Sequence, residues 1–123
     1  MLSRSSFTLS RRAFSSIPVN QVASVLKLNV GDEATAIKLD THVKKLNDMM
    51  KKHPGFGSTT RYVCKSEWAY ELSFVFGSGE SFGAWKECAL RNEVHAEYLS
   101  ALADCGIKEE DVYGGARVHD VLE

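Results

Sequence analysis

The chain has 123 residues, of which 44% are hydrophobic and 25% charged, and its net charge is −1 at pH 7. That length suits one domain, the composition is that of a globular protein, and the balanced charge excludes bulk electrostatic attraction to nucleic acid or anionic membranes. Three cysteines (Cys64, Cys88 and Cys105) are too few and too scattered for a disulfide framework or a zinc site. No apolar run approaches the roughly 18 residues of a membrane helix.

Residues 1–20 stand apart. They hold Arg4, Arg11 and Arg12, many serines and no acidic residue, the first being Asp32. Leu2, Phe7, Leu9 and Phe14 could form an apolar face on a helix. This is the composition of a mitochondrial transit peptide, and it lacks the continuous apolar core of a secretory signal. The expectation is therefore import into the mitochondrial matrix, with cleavage after Phe14 or a few residues later. A plastid address and a basic cytosolic tail are the competing readings. Removing three of the 15 basic residues leaves 12 against 16 acidic ones, so the remaining domain, residues 21–123, is near −4.

Val22 to Val30 reads as a strand, with Val22, Ser24, Leu26 and Leu28 on one face. Asp32 is placed to cap a helix from about Glu33 to Lys52, in which Ala36, Leu39, Val43, Leu46 and Met50 form an apolar stripe. His53-Pro54-Gly55 ends it. Ser58 to Ser66 alternates weakly and suggests a second strand. Trp68 to Phe76 alternates strongly and places Trp68, Tyr70, Leu72, Phe74 and Phe76 on one face. These two would pair as a hairpin. A helical region over 80–103 follows, with Phe82, Trp85, Cys88 and Ala89 on one stripe. Gly106 is its expected left-handed stop, and Ala116 to Leu122 is the last strand.

The order β-α-β-β-α-(α)-β predicts an α+β fold, the ferredoxin-like split βαββαβ arrangement with an antiparallel sheet. Helices on a single face leave the other face bare. A second copy covering it would give a dimeric α/β barrel, so a homodimer is expected.

Three segments carry a resemblance to a known family. Pro54-Gly55-Phe56 lies between the first helix and the second strand. Trp68 to Phe76 leads into Ser78-Gly79-Glu80-Ser81-Phe82-Gly83-Ala84-Trp85. His95-Ala96-Glu97-Tyr98-Leu99 begins a closing helix. In this order they resemble the antibiotic biosynthesis monooxygenase (ABM) family of dimeric α/β-barrel proteins, over about Val22 to Leu122. The resemblance implies a monooxygenase that uses neither flavin nor nicotinamide and acts on an aromatic or quinone-like compound. Haem is the alternative substrate or ligand. Members with no known reaction leave open a non-catalytic ligand-binding, stress-response or assembly protein.

Asn29, Trp85 and His95 form the sharpest candidate set, because haem-degrading members use an Asn, a Trp and a His at such positions. His95 would be the sole metal-ligating residue, and only with haem bound; a neutral imidazole can ligate its iron. Tyr62, Trp68, Tyr70, Phe82, Tyr98 and Tyr113 are the candidates for an aromatic pocket, with Arg61, His42 or His119 supplying charge or a base. Against these stands the plainer reading of core aromatics and a half-exposed histidine. Cys64 and Cys88 read as structural thiols.

Overall fold

The computed structural model describes residues 17–122. The expected targeting segment therefore lies outside the described residues except for residues 17–20, which are exposed. The elements are β1 (Gln21–Asn29), α1 (Glu33–Met50), β2 (Phe56–Val63), β3 (Ala69–Phe76), α2 (Gly79–Glu87), α3 (Ala89–Asp104), a 3₁₀ turn (Glu109–Asp111) and β4 (Tyr113–His119). The four strands form one sheet in the order β2-β3-β1-β4, and every neighbouring pair is antiparallel. This is the ferredoxin-like arrangement that the pattern predicts. No helix among the described residues is long and apolar enough to cross a membrane.

Local chemistry sets the helix ends. The Thr35 backbone N–H donates to the Asp32 carboxylate at 2.8 Å, so Asp32 caps α1. Ser78 caps α2 in the same way, accepting from the Ser81 N–H at 3.0 Å. At the far end of α3, Gly106 takes φ +70°, and Ile107 N–H reaches back to the Leu102 carbonyl at 2.9 Å. That is a left-handed helix stop, which glycine adopts without a steric penalty.

The strand parity sorts the two sheet faces. Leu28 of β1 and Tyr70, Leu72, Phe74 and Phe76 of β3 join the α1 stripe (Ala36, Leu39, Val43, Leu46, Met50) in one core under the helices. Ala23, Val25 and Val75 form a separate small cluster on the other face, which no helix covers.

The helical region 80–103 divides, as the bracketed second helix of the predicted order allows, into two helices that part at Cys88, whose φ −89° and ψ 153° are extended. Three expectations are corrected. Strand two runs from Phe56 to Val63, with an irregular register between Phe56 and Ser58. The last strand is Tyr113–His119, earlier in the chain than expected. Trp68 lies outside β3 at φ 58°, the only non-glycine with positive φ among the described residues. That backbone is unusual for a bulky side chain. Three hydrogen bonds hold it: Trp68 N–H to Cys64 carbonyl at 2.7 Å, Cys64 N–H to Ala69 carbonyl at 2.9 Å, and Val30 N–H to Trp68 carbonyl at 2.9 Å.

Candidate functional site

A half-open cavity of about 340 Å³ lies between the sheet and the helices. Its floor is β1 (Ser24, Leu26) and β3 (Phe74, Phe76), its sides are Leu46 and Met50 of α1 and Trp85 of α2, and α3 forms the roof. The space exists because α3 packs chiefly on α1, with Lys45 to Glu97 at 3.0 Å and His42 to Asp104 at 2.7 Å bridging the two helices. The β4 residues Gly114 and Ala116, opposite Leu26 and Ser24 in the ladder, are small and stay exposed. The layer is thus open along the β4 edge.

Trp85 is fixed by what surrounds it. Its indole, 7% exposed, lies 5.4 Å from the His53 ring and 5.9 Å from the Phe76 ring between centroids. His53 is itself buried, and its Nε2 lies 3.1 Å from the Ser81 carbonyl. A carbonyl can only accept, so Nε2 carries the proton and donates. This bond ties the end of α1 to the first turn of α2. Gly55 makes the approach possible: a Cβ there would lie 2.3 Å from Ser81 Cβ.

The mouth is polar. Arg91, His95 and Tyr98 sit at i, i+4 and i+7 on α3 and so share a stripe, facing Glu109 of the 3₁₀ turn. His95 Nε2 is 4.0 Å from the Glu109 carboxylate, and its ring is 5.9 Å from the Tyr98 ring. Burial, and then the Glu109 charge, push the Tyr98 phenol upward, so it stays protonated and can donate. An apolar chamber with a few convergent polar groups at its entrance is the usual form of a small-molecule site. Its volume is near the low end of the roughly 300–1,000 Å³ range of such pockets, which suits a compact ring compound.

Of the residues singled out by sequence, the cavity brings together Trp85, His95 and Tyr98. Asn29 is elsewhere, at the opposite end of β1. Its amide donates to the Glu67 carbonyl at 2.8 Å and accepts from Gly31 N–H at 2.8 Å, so it pins two turns together. Tyr62 and Tyr113, 63% and 75% exposed, lie on the sheet face away from the helices, a consequence of strand parity. Tyr70 is in the core, but its hydroxyl donates to Asp40 at 2.6 Å, away from the cavity. Phe82 packs on Phe76 at 5.3 Å without lining the chamber, and Trp68 packs half-buried against the core beyond the cavity walls. Arg61 is engaged by Asp40 at 3.0 Å, His42 by Asp104, and His119 lies 3.0 Å from Gln21 on the other sheet face. Asn29, committed to the turns, does not meet Trp85 and His95 in the cavity.

Ser24, Arg91 and Glu109 were missed. The Arg91–His95–Tyr98 spacing is a readable helical stripe; Glu109 carries no local signal. Cys64 also differs from its expected inert role. It is exposed, its Sγ is 3.2 Å from Ser66 Oγ, and that hydrogen bond, followed by backbone N–H groups of the turn, lowers the thiol pKa. Among the described residues no cluster of His, Cys, Asp and Glu could hold a metal.

No protein-family profile matches the chain, and no characterised protein matches it by sequence. Solved structures match it by fold. A monooxygenase from the gene ActVA-Orf6 of Streptomyces coelicolor, in complex with the ligand nanaomycin D, aligns with a TM-score of 0.63 at 20% identity, covering 85% of this chain and 91% of that one. SnoaB, a cofactor-independent oxygenase from Streptomyces nogalater, aligns with a TM-score of 0.63 at 13% identity, covering 84% and 96%. A dimeric ferredoxin-like protein of unknown function from Jannaschia gives a TM-score of 0.56 at 10% identity, covering 79% and 97%. At such identities the likeness concerns the fold. The chain has the ferredoxin-like α+β fold of the antibiotic biosynthesis monooxygenases.

Proposed function

We propose that the protein is a small ABM-like monooxygenase that acts, without flavin or nicotinamide, on a compact aromatic or quinone-like compound. The observation that carries this reading is the chamber itself: an apolar cleft walled by Phe74, Phe76 and Trp85, with His95 and Tyr98 at its mouth. A ring lying in it presents its acidic C–H or O–H to His95. The imidazole takes the proton, and the Glu109 carboxylate at 4.0 Å balances the resulting charge. Tyr98, kept protonated, donates a hydrogen bond to the developing oxyanion. The carbanion then passes its electrons to O₂. For a ring methylene, one oxygen atom replaces both hydrogens as a carbonyl and the other leaves as water, so the substrate is the sole reductant.

The same reading includes the expected homodimer. On the open sheet face the small buried cluster of Ala23, Val25 and Val75 lies beneath Tyr62, Glu71 and Arg117, which a second copy would meet. A second copy laid on that face would leave the cavity on the outside. The composition of residues 1–20 supports delivery to the mitochondrial matrix.

Oxygen uptake with anthrone and with naphthohydroquinone tests the reading. Uptake that exceeds the spontaneous rate, and that falls in both His95→Ala and Tyr98→Phe, is expected. Binding without uptake above background would instead make the protein a non-catalytic binder of the same compounds.

A further inference from the structure

Ser24 is the one polar residue on the cavity floor. It sits in a strand face otherwise given to Val22, Leu26 and Leu28, and its ladder partners are Phe74 and Ala116. Its hydroxyl is half-buried and has no hydrogen-bond partner among the described residues, whereas the buried polar side-chain atoms are all satisfied. Because no buried side-chain polar atom among the described residues lacks a partner, this hydroxyl is accessible, and a ligand oxygen can bond it in place of water. The other polar groups of the site, on Arg91, His95, Tyr98 and Glu109, come from the roof and the closing turn. The cleft therefore has polar groups on its floor and on its roof, and apolar walls that include Phe74, Phe76, Trp85 and Val94.

We propose that Ser24 is the specificity-determining residue of this site, hydrogen-bonding an oxygen substituent at the floor end of the ligand. The ligand class is then narrower than an aromatic compound. It is a flat fused ring carrying oxygen at both ends, one end at Ser24 and the other at His95 and Tyr98. A ring with a single hydroxyl satisfies the mouth and leaves Ser24 without a partner. This inference rests on the ligand-binding reading of the cavity and goes beyond it in naming how the ligand is oriented.

The test is anaerobic titration calorimetry with 2-naphthol and 2,6-dihydroxynaphthalene, which differ by one hydroxyl at the far end. The wild type is expected to favour the diol by about five- to tenfold, the worth of one net hydrogen bond. Ser24→Ala should abolish that preference and leave the affinity for 2-naphthol unchanged. Ser24→Cys, similar in shape but a weak hydrogen-bonding group, should give the same loss, and Ser73→Ala on the opposite sheet face should change nothing. Equal wild-type affinities, or a preference that survives in Ser24→Ala, would overturn the role of Ser24 while leaving the cavity a binding site. If neither compound binds any of the proteins, both the inference and the reading beneath it fail.

Discussion

Tyr70→Phe removes one hydroxyl and leaves the rest of the core in place. That hydroxyl donates to Asp40 at 2.6 Å, and Asp40 also accepts from Arg61 at 3.0 Å, so α1, β2 and β3 meet in one network. The Tyr70 side chain is fully buried, 1% exposed. A hydrogen bond to a charged group contributes about 1.5–3 kcal/mol. Asp40 keeps 30% of its side chain exposed, and Arg61 would still pair with it, so water can replace the lost donor. The expected loss is therefore at the lower end, about 1.5 kcal/mol. For a domain of this size it lowers the Tm by about 6–12 °C. Circular dichroism melting at pH 7 reads it directly. The pH dependence gives a second signature. Burial, and then the bond to Asp40, raise the Tyr70 phenol well above its ordinary value of 10.0. The unfolded chain ionises there first, so the contribution of this group is intact below pH 10 and is lost as the pH climbs above it. Tyr70→Phe should flatten that alkaline decline, with the part due to Tyr98 remaining. A Tm within 2 °C of the wild type, or an unchanged alkaline limb, would refute the network as a source of stability.

Gly55→Ala should destabilise by about 1–3 kcal/mol, because its Cβ meets the Ser81 backbone-anchored Cβ and one of the two segments must move; urea denaturation measures it, and a neutral result would mean that the α2 start is loosely held. Cys64 should react with a disulfide probe at lower pH than Cys105, since turn hydrogen bonds lower the one thiol and burial raises the other. Cys64→Ser should delete the fast phase of that reaction. Tyr62→Asp places a charge on the open sheet face at a site exposed in the single chain, and should dissociate a dimer in light scattering while leaving 2-naphthol binding intact. A monomeric wild type at micromolar concentration would remove the dimer from the reading.

The fold was legible where a period was strong and a stop was chemical. Tyr70 to Phe76 alternates over a whole strand, Asp32 and Gly106 mark helix ends by their own chemistry, and these are enough for the order of elements. The breaks were harder. No glycine or proline marks Cys88, where α2, which packs on β1 and β3, gives way to α3, which packs chiefly on α1. Tyr62 was misplaced because β2 alternates too weakly to reveal its inner face; only pairing with Glu71 of β3 sets it outward. Asn29 looked like a ligand-binding residue in sequence, yet its amide serves the turns. Trp85, His95 and Tyr98 could be read as a group because they lie on neighbouring helical segments. Glu109 and Ser24 reach the same chamber from a distant turn and from the first strand, and a linear sequence holds no mark of that meeting.

The open edge beside β4 also has an evolutionary meaning. Ala116 leaves bare a strip of sheet that a larger apolar side chain would cover, whereas a Cβ at Gly114 would lie 2.9 Å from the Val25 carbonyl oxygen. A lineage under pressure only to melt at a higher temperature has a short mutational route to fill that strip. A small residue there forgoes packing and preserves access. Variation at Ala116 among descendants of this gene would then track the girth of what they admit, while the helix-facing positions of β3 stay tied to the core.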